Sequence, residues 1–288
     1  MDVYQIINNK IIELLEQGAV PWRKPWNAQS NYPSNLISKK NYRGINVFLL
    51  ACQHYSCPWW LSYKQVQEKG GHVIKGAKST PVIFWKWLDK ADPETADCDD
   101  AQTGKIPLLR YYNVFNLEQT EGINIPEPEE THNEFNSIAA AEEVIASMPL
   151  CPDIRHGGNR AYYSPTLDYI QLPNQHTFDT IEEYYNTCFH ELAHATGHSN
   201  RLGRKSILEP SYFGSHEYSK EELVAEMGAA FLSGHCCIEN NTIINSAAYI
   251  QGWLKSLKND KTLLVLAAAQ AQKAADYILN KPTDQSFQ

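Results

Sequence analysis

The 288-residue sequence predicts an α+β fold in two domains, and three observations predict it. Helical and strand-like segments follow one another in mixed order in both halves, which favours α+β for each. Charge and tryptophan are unevenly divided. Residues 1–90 carry twelve Lys/Arg against five Asp/Glu, a net +7 in a chain whose total is −8, and six of the seven tryptophans. Between the parts, IPEPEETHNEFN (125–136) has two prolines and four acids without apolar periodicity, the marks of a linker. The expected division is 1–125, a linker over 126–136, and 137–288.

The elements read as follows. Ile6, Ile7, Ile11, Leu14 and Leu15 recur at helical spacing before Gly18, so 2–17 is an amphipathic helix. PWRKPW then breaks regular structure with two prolines. NVFLLACQHY (46–55) and SYKQVQEKG (62–70) are short helices. STPVIFWKWLD (79–89) and LLRYYNVFNLEQ (108–119) are β-branched and aromatic with partial alternation, hence strands. KADPETADCDDAQTGK (90–105) is an acidic, turn-rich surface loop. Beyond the linker, 136–148 is a helix and AYYSPTLDYIQLP (161–173) gives two short strands around a turn. Asp179-Thr180 caps a helix running to Gly197, 216–234 is another, and two more lie within 243–281.

Composition excludes some classes. No run approaches the ~20 apolar residues that span a bilayer. The N-terminus carries Asp2, Glu13 and Glu16 and no small-residue cleavage site, which argues against a signal peptide. Seven cysteines without a CxxC pair suit reduced thiols, so a cytoplasmic location is expected, with no membrane partner.

HELAH (190–194) places His190 and His194 one turn apart on one helix face, able to bind a single Zn²⁺. Glu191 beside them is the base that takes a proton from a coordinated water. The longer HExxHxxGxxH pattern fails here, because Asn200 stands where its third histidine belongs and His198 comes two residues early. His198 therefore reads as a surface or supporting histidine. EELVAEMGAAF offers carboxylates instead. Glu222 and Glu226 share a face, with Glu221 rotated by about 100° from Glu222. One of the pair can bind the metal while the other hydrogen-bonds a ligand histidine.

The N-terminal part reads as a surface for a polyanion. Single-strand binders combine a basic groove with aromatic faces on which bases stack. Trp22, Arg23, Lys24 and Trp26 offer both, as does FWKW (84–87), and Lys39, Lys40, Arg43, Lys75 and Lys78 add charge in Gly-containing turns. Alternation puts Trp85 and Trp87 on one face of their strand and Phe84 and Lys86 on the other, so one pair belongs to the core. RGIN (43–46) opens a helix whose first amides can meet a phosphate. Nothing indicates sequence-specific reading.

HELAHATGHSNRL followed by EYSKEELVAEMGAAFL, with YYSPTLDYIQLP before and AAAQAQKAADYIL after, closely resembles the zincin-like metallopeptidase domain of ArdC antirestriction proteins. PWRKPW, NYRGINVFLL, GGHVIKGAKST and YYNVFNLEQTEGI resemble the single-stranded-DNA-binding domain that ArdC shares with plasmid primases. The resemblance implies an N-terminal α+β single-strand-binding domain and a C-terminal gluzincin-type domain. It also implies metal ligands at His190, His194 and Glu222, a catalytic Glu191, and Glu226 behind a ligand or in place of Glu222. Zn²⁺ is the implied cofactor, with Mn²⁺ the alternative. The implied function is antirestriction on a mobile element, through non-specific binding of single-stranded DNA and cleavage of a protein substrate or restriction-system component. The rival expectation is a DNA-protection protein whose metal site is structural. DYIQLP is the expected edge strand for a peptide, and Tyr162 and Tyr163 read as packed aromatics first, with donation to an oxyanion the alternative for one of them.

Overall fold

The computed structural model describes residues 2–23, 32–89, 105–124, 136–209, 216–238 and 247–281. Of the expected loop over 90–105, residues 90–104 lie outside them and Lys105 belongs to a strand instead; all of the expected linker but Asn136 lies outside them too. In chain order the first part holds α1 (Val3–Glu16), β1 (Ser34–Asn35), α2 (Ile45–Ala51), β2 (Trp59–Ser62), α3 (Tyr63–Glu68), β3 (His72–Val73), β4 (Thr80–Asp89), β5 (Lys105–Asn116) and β6 (Thr120–Glu121). The second holds α4 (Ser137–Ser147), β7 (Asp153–His156), β8 (Tyr162–Ser164), β9 (Tyr169–Leu172), α5 (Ile181–Ala195), α6 (Lys205–Leu208), α7 (His216–His235), α8 (Ala247–Asn259) and α9 (Leu263–Ile278).

The first part is built on a sheet ordered β1-β2-β5-β4, in which β4 and β5 form an antiparallel ribbon from Thr80↔Val114 to Asp89↔Lys105. The side-chain amide of Asn46, at the start of α2, fixes the face that β4 presents. It donates to the Ile83 carbonyl and accepts from the Ile83 N–H, both at 2.8 Å. Ile83 is thereby held inward, and Phe84 and Lys86 face out. Of the two sets that alternation separates, the one with Ile83 and Trp85 packs on the core, and the Phe84 set is exposed.

The second part layers α5, α7 and α9 beside a three-stranded sheet ordered β7-β9-β8. β9 pairs parallel with β7 and antiparallel with β8, so it is central. The expectation that DYIQLP supplies an edge strand is corrected here: the edges are β7 and β8, and β8 is the one that contacts α5. Small residues let α7 approach α5 closely. A Cβ added at Gly228 would come 3.0 Å from the Cβ of Ala193.

A single hydrophobic cluster runs through both parts. The Ile7, Ile11 and Leu15 stripe of α1 and the Val47 and Phe48 pair of α2 join Phe231, Trp253, Leu257 and Leu264 in it. Phe48 stacks on Phe231 of α7 at 4.9 Å between centroids, and Asn8 donates a buried hydrogen bond to the Leu257 carbonyl.

Candidate metal centre

α5 starts where its sequence says it should. The Thr180 hydroxyl accepts from the Glu183 N–H, and Glu182 and Glu183 in the first turn complement the helix dipole. One turn from the other end, the 190/194 spacing brings the Nε2 atoms of His190 and His194 to 3.1 Å. Glu222, near the start of α7, lies 3.7 Å from each. Among the described residues these three form the single group whose donor atoms all fall within 4.8 Å of one another. Two ~2.0–2.1 Å bonds at a tetrahedral angle span about 3.3 Å, so the histidine pair fits the ligand spacing of one small divalent ion. The three side chains are 13 to 18 % exposed, which leaves the group open to solvent on one side.

Behind the ligand set stands a carboxylate that sequence reasoning set aside. Nδ1 of His194 is bonded not to Glu226 but to Glu221, at 3.2 Å. A donor on Nδ1 leaves the Nε2 lone pair directed at the metal position. Glu221 is in turn gripped by Arg204, with Nε at 3.0 Å and Nη2 at 2.6 Å, and accepts from the Ser206 hydroxyl at 2.5 Å. Arg204 also donates to the Ala193 carbonyl and the Thr196 hydroxyl, tying the end of α5 to the start of α7. The signal for Glu221 was its adjacency to Glu222: consecutive carboxylates in the second turn of α7 address both nitrogens of one imidazole. Arg204 had no local signal.

Gly197 makes this possible. A Cβ there would meet Ile207 side-chain atoms at 2.5 and 2.9 Å and Arg204 Nη2 at 3.1 Å. The glycine that fits the zincin pattern thus admits the segment carrying Arg204. His198 stands apart from the metal group, with Nδ1 3.9 Å from Asp168.

Electrostatics separate the two histidines. Burial, then the charge of His194, press the His190 pKa down to about 3. Burial also opposes the His194 cation, but the Glu221 hydrogen bond and the charges of Glu222, Glu221 and Glu191 outweigh it and raise its pKa. Glu221 is buried too, yet its hydrogen bonds from His194 and Arg204 hold it well below the usual carboxylate range. Glu191 is 7 % exposed, and burial raises its pKa against the opposing His194 charge and the Tyr163 backbone N–H. That contact sets edge strand β8 directly against Glu191. The Tyr163 hydroxyl is engaged elsewhere, donating to Asp168 at 2.8 Å, and Tyr162 pairs its hydroxyl with Tyr169.

The N-terminal candidates divide. Trp22 is corrected: it is fully buried, edge-on to Trp253 at 5.2 Å, and offers no face to a base. The core claims it because α8 packs its one tryptophan against the turn Pro21–Arg23. Lys24 and Trp26 lie outside the described residues, and Arg23 closes that turn. Lys39, Lys40, Lys75 and Lys78 are exposed, with the Lys39 ammonium 4.2 Å above the Trp59 ring. Arg43 is ion-paired with Asp276 of α9. The RGIN amide is also spoken for, since the Gly44 N–H donates to Gln272 at 3.0 Å.

Residues 139–270 match the profile of the zincin-like metallopeptidase family, which defines the second part as a zincin-like domain. Residues 1–115 match the N-terminal domain of the anti-restriction factor ArdC. The crystal structures of the antirestriction ArdC protein from plasmid R388 superpose on nearly all of this chain. The metal-free form has a TM-score of 0.75 at 37 % identity, covering 96 % of this chain and 97 % of that one. The Mn(II)-bound form has a TM-score of 0.76 at 34 % identity, covering 99 % and 100 %. The uncharacterised protein y4eC of Sinorhizobium fredii is 34 % identical over 98 % of this chain and 93 % of its own. The DNA primase TraC of Escherichia coli is 34 % identical over 96 % of this chain, which spans only 27 % of TraC. The chain belongs to the ArdC family of antirestriction proteins.

Proposed function

We propose that this protein counters restriction by pairing non-specific binding of single-stranded DNA with a metal-dependent peptidase site. The observation that carries the peptidase half is the convergence of His190, His194 and Glu222 beside a buried Glu191. A two-histidine, one-carboxylate donor set suits zinc, and the R388 relative holds Mn(II) in its metal-bound form. A divalent ion held by those three residues supplies Lewis acidity toward a peptide carbonyl and a nearby water.

The chain's own residues do the rest. Glu191, with its pKa raised by burial, accepts a proton from the attacking water and returns it to the leaving amine. Glu221 and Arg204 orient His194. The β8 edge, with Tyr163 against Glu191, aligns an extended peptide by strand addition. The DNA-binding half is supported by the basic, aromatic composition of residues 1–90 and by the match to the ArdC N-terminal domain. The substrate is a protein of the restriction machinery.

The test is reconstitution with Zn²⁺ or Mn²⁺ after chelation, followed by elemental analysis. About one ion per chain is expected, lost in Glu222→Ala and His190→Ala and kept in Glu191→Gln. In conjugation into a restricting host, Glu191→Gln should lose protection. Full protection by that variant favours the DNA-protection reading, with a structural metal. A wild-type chain that takes up no ion removes the peptidase half.

A further inference from the structure

We propose that the DNA strand is seated in the groove between the two domains, with bases on Phe84 and Tyr112 and phosphates led toward the end of α9. This deepens the single-strand reading above and rests on it. The groove holds about 1460 Å³ and is walled on one side by the β4–β5 ribbon and the turn before α2, on the other by α4, α7 and α9.

The two rings come from neighbouring strands. Phe84 faces out because Asn46 holds its neighbour Ile83 inward, and the ribbon register puts Tyr112, opposite Val82 and two pairs along, on the same face. Their centroids are 5.7 Å apart at 61°, and they are 37 % and 39 % exposed. Large aromatic side chains left more than a third in solvent, beside Val82 and Ile83 that are buried, offer π-faces that packing does not consume. The same face continues outward to Lys86 and Arg110, both exposed, with Arg110 directly opposite Phe84.

Cations ring the groove. Lys39, Lys40 and Arg43 line the N-terminal wall and Lys281 the end of α9, against two acids, Glu143 and Asp276. Asp276 is already paired with Arg43, and that pair joins the two walls at the groove floor. The charge left over at the rim is positive, although the second part of the chain is acidic. A basic rim with two ring faces beside it matches a single strand, whose bases are splayed and whose phosphates follow an edge. A duplex keeps its base faces stacked and has nothing to offer the rings. The consequence is that the zincin-like domain supplies part of the DNA seat through Lys281.

The test uses the full chain and a fluorescein-labelled oligo-dT of about 12 nucleotides, within the range of single-strand site sizes. Replacing both rings by leucine (Phe84→Leu with Tyr112→Leu) should weaken binding on the order of 10- to 100-fold without changing the salt slope, because stacking releases no counterions. Phe84→Trp should hold the affinity or raise it. Lys281→Ala should lower the salt slope by about 0.7, the loss of one phosphate contact to a single strand. An oligonucleotide carrying 5-iodouracil should crosslink wild-type chain at the peptides holding Phe84 or Tyr112. Melting temperature and metal uptake report that each variant is folded. A wild-type chain that does not bind oligo-dT overturns the single-strand reading itself. Wild-type binding with an unaltered double-leucine variant, or crosslinks confined to other peptides, overturns this seat and leaves that reading standing.

Discussion

Glu221 addresses Nδ1 of His194 at 3.2 Å, the nitrogen turned away from the metal position, while the next residue in the chain, Glu222, stands 3.7 Å from Nε2. The second turn of α7 therefore supplies both the ligand and the group that orients a ligand. Removing hydrogen bonds of this kind weakens metal binding by roughly 10- to 100-fold. Glu221→Gln keeps the shape but gives up the charge that faces Arg204, so its loss should lie within that range. Chelator competition measures it. Glu222→Gln, which removes a ligand, should lose more, and equal effects of the two substitutions would mean that the roles assigned to them are wrong.

Gly197 offers a test that leaves every polar group in place. Its Cβ would sit 2.5 Å from Ile207 Cγ1. The α6 segment must then retreat, and Arg204 lies at its start. Overpacking of this sort costs about 1–3 kcal/mol, enough to lower Tm by several degrees in a chain of this size. Gly197→Ala should also weaken metal binding, because Arg204 moves off Glu221. Thermal melts with and without metal would show both effects, and a variant as stable as wild type would mean the segment relaxes freely.

Acid should loosen the turn between β8 and β9. Asp168 accepts from both Arg201 Nη atoms, at 2.8 and 3.0 Å, and from the Tyr163 hydroxyl. Burial opposes its charge, but these bonds and the Arg201 charge win and lower its pKa from the ordinary 3.8. A depressed carboxylate stabilises the fold fully above its unfolded value and stops doing so as pH falls through the folded one. The stability difference between wild type and Asp168→Asn should be constant above about pH 5 and shrink below pH 4. Urea midpoints across that range would reveal it. A difference that grew on acidification would reverse the sign of the argument.

What could be read from the sequence and what could not follows from how local each cause is. α5 was legible because its cap, its two histidines and its end lie within one contiguous stretch. The two-residue β1, β3 and β6 and the exposed Asp153–His156 of β7 exist only through partners distant in sequence, and their side chains give no alternation to read. The third ligand was legible as a face of α7, but helix geometry alone cannot say which turn of α7 meets α5. That depends on Gly228, Ala193 and the Arg204 clamp. Trp22 was misplaced for a similar reason: composition placed it with the other tryptophans, and its partner, Trp253, lies in the opposite half of the chain.

That partnership leads to the last prediction. The two family domains divide the sequence cleanly, yet α1 and the Pro21–Arg23 turn bury their apolar side chains against α8 and α9. The first part alone would expose Ile7, Ile11, Trp22 and Phe48 together. Fully burying such side chains is worth about 1.5–3 kcal/mol each, so a fragment ending at the linker should not hold α1 in place. The intact chain should then unfold in one calorimetric transition, with a van't Hoff enthalpy close to the calorimetric one. Trp22→Phe should lower the temperature of that single transition while leaving oligo-dT affinity of the folded protein unchanged, because the ring packs inside and touches no strand. Two well-separated transitions, with Trp22→Phe shifting only one, would show that the shared core does not couple the domains.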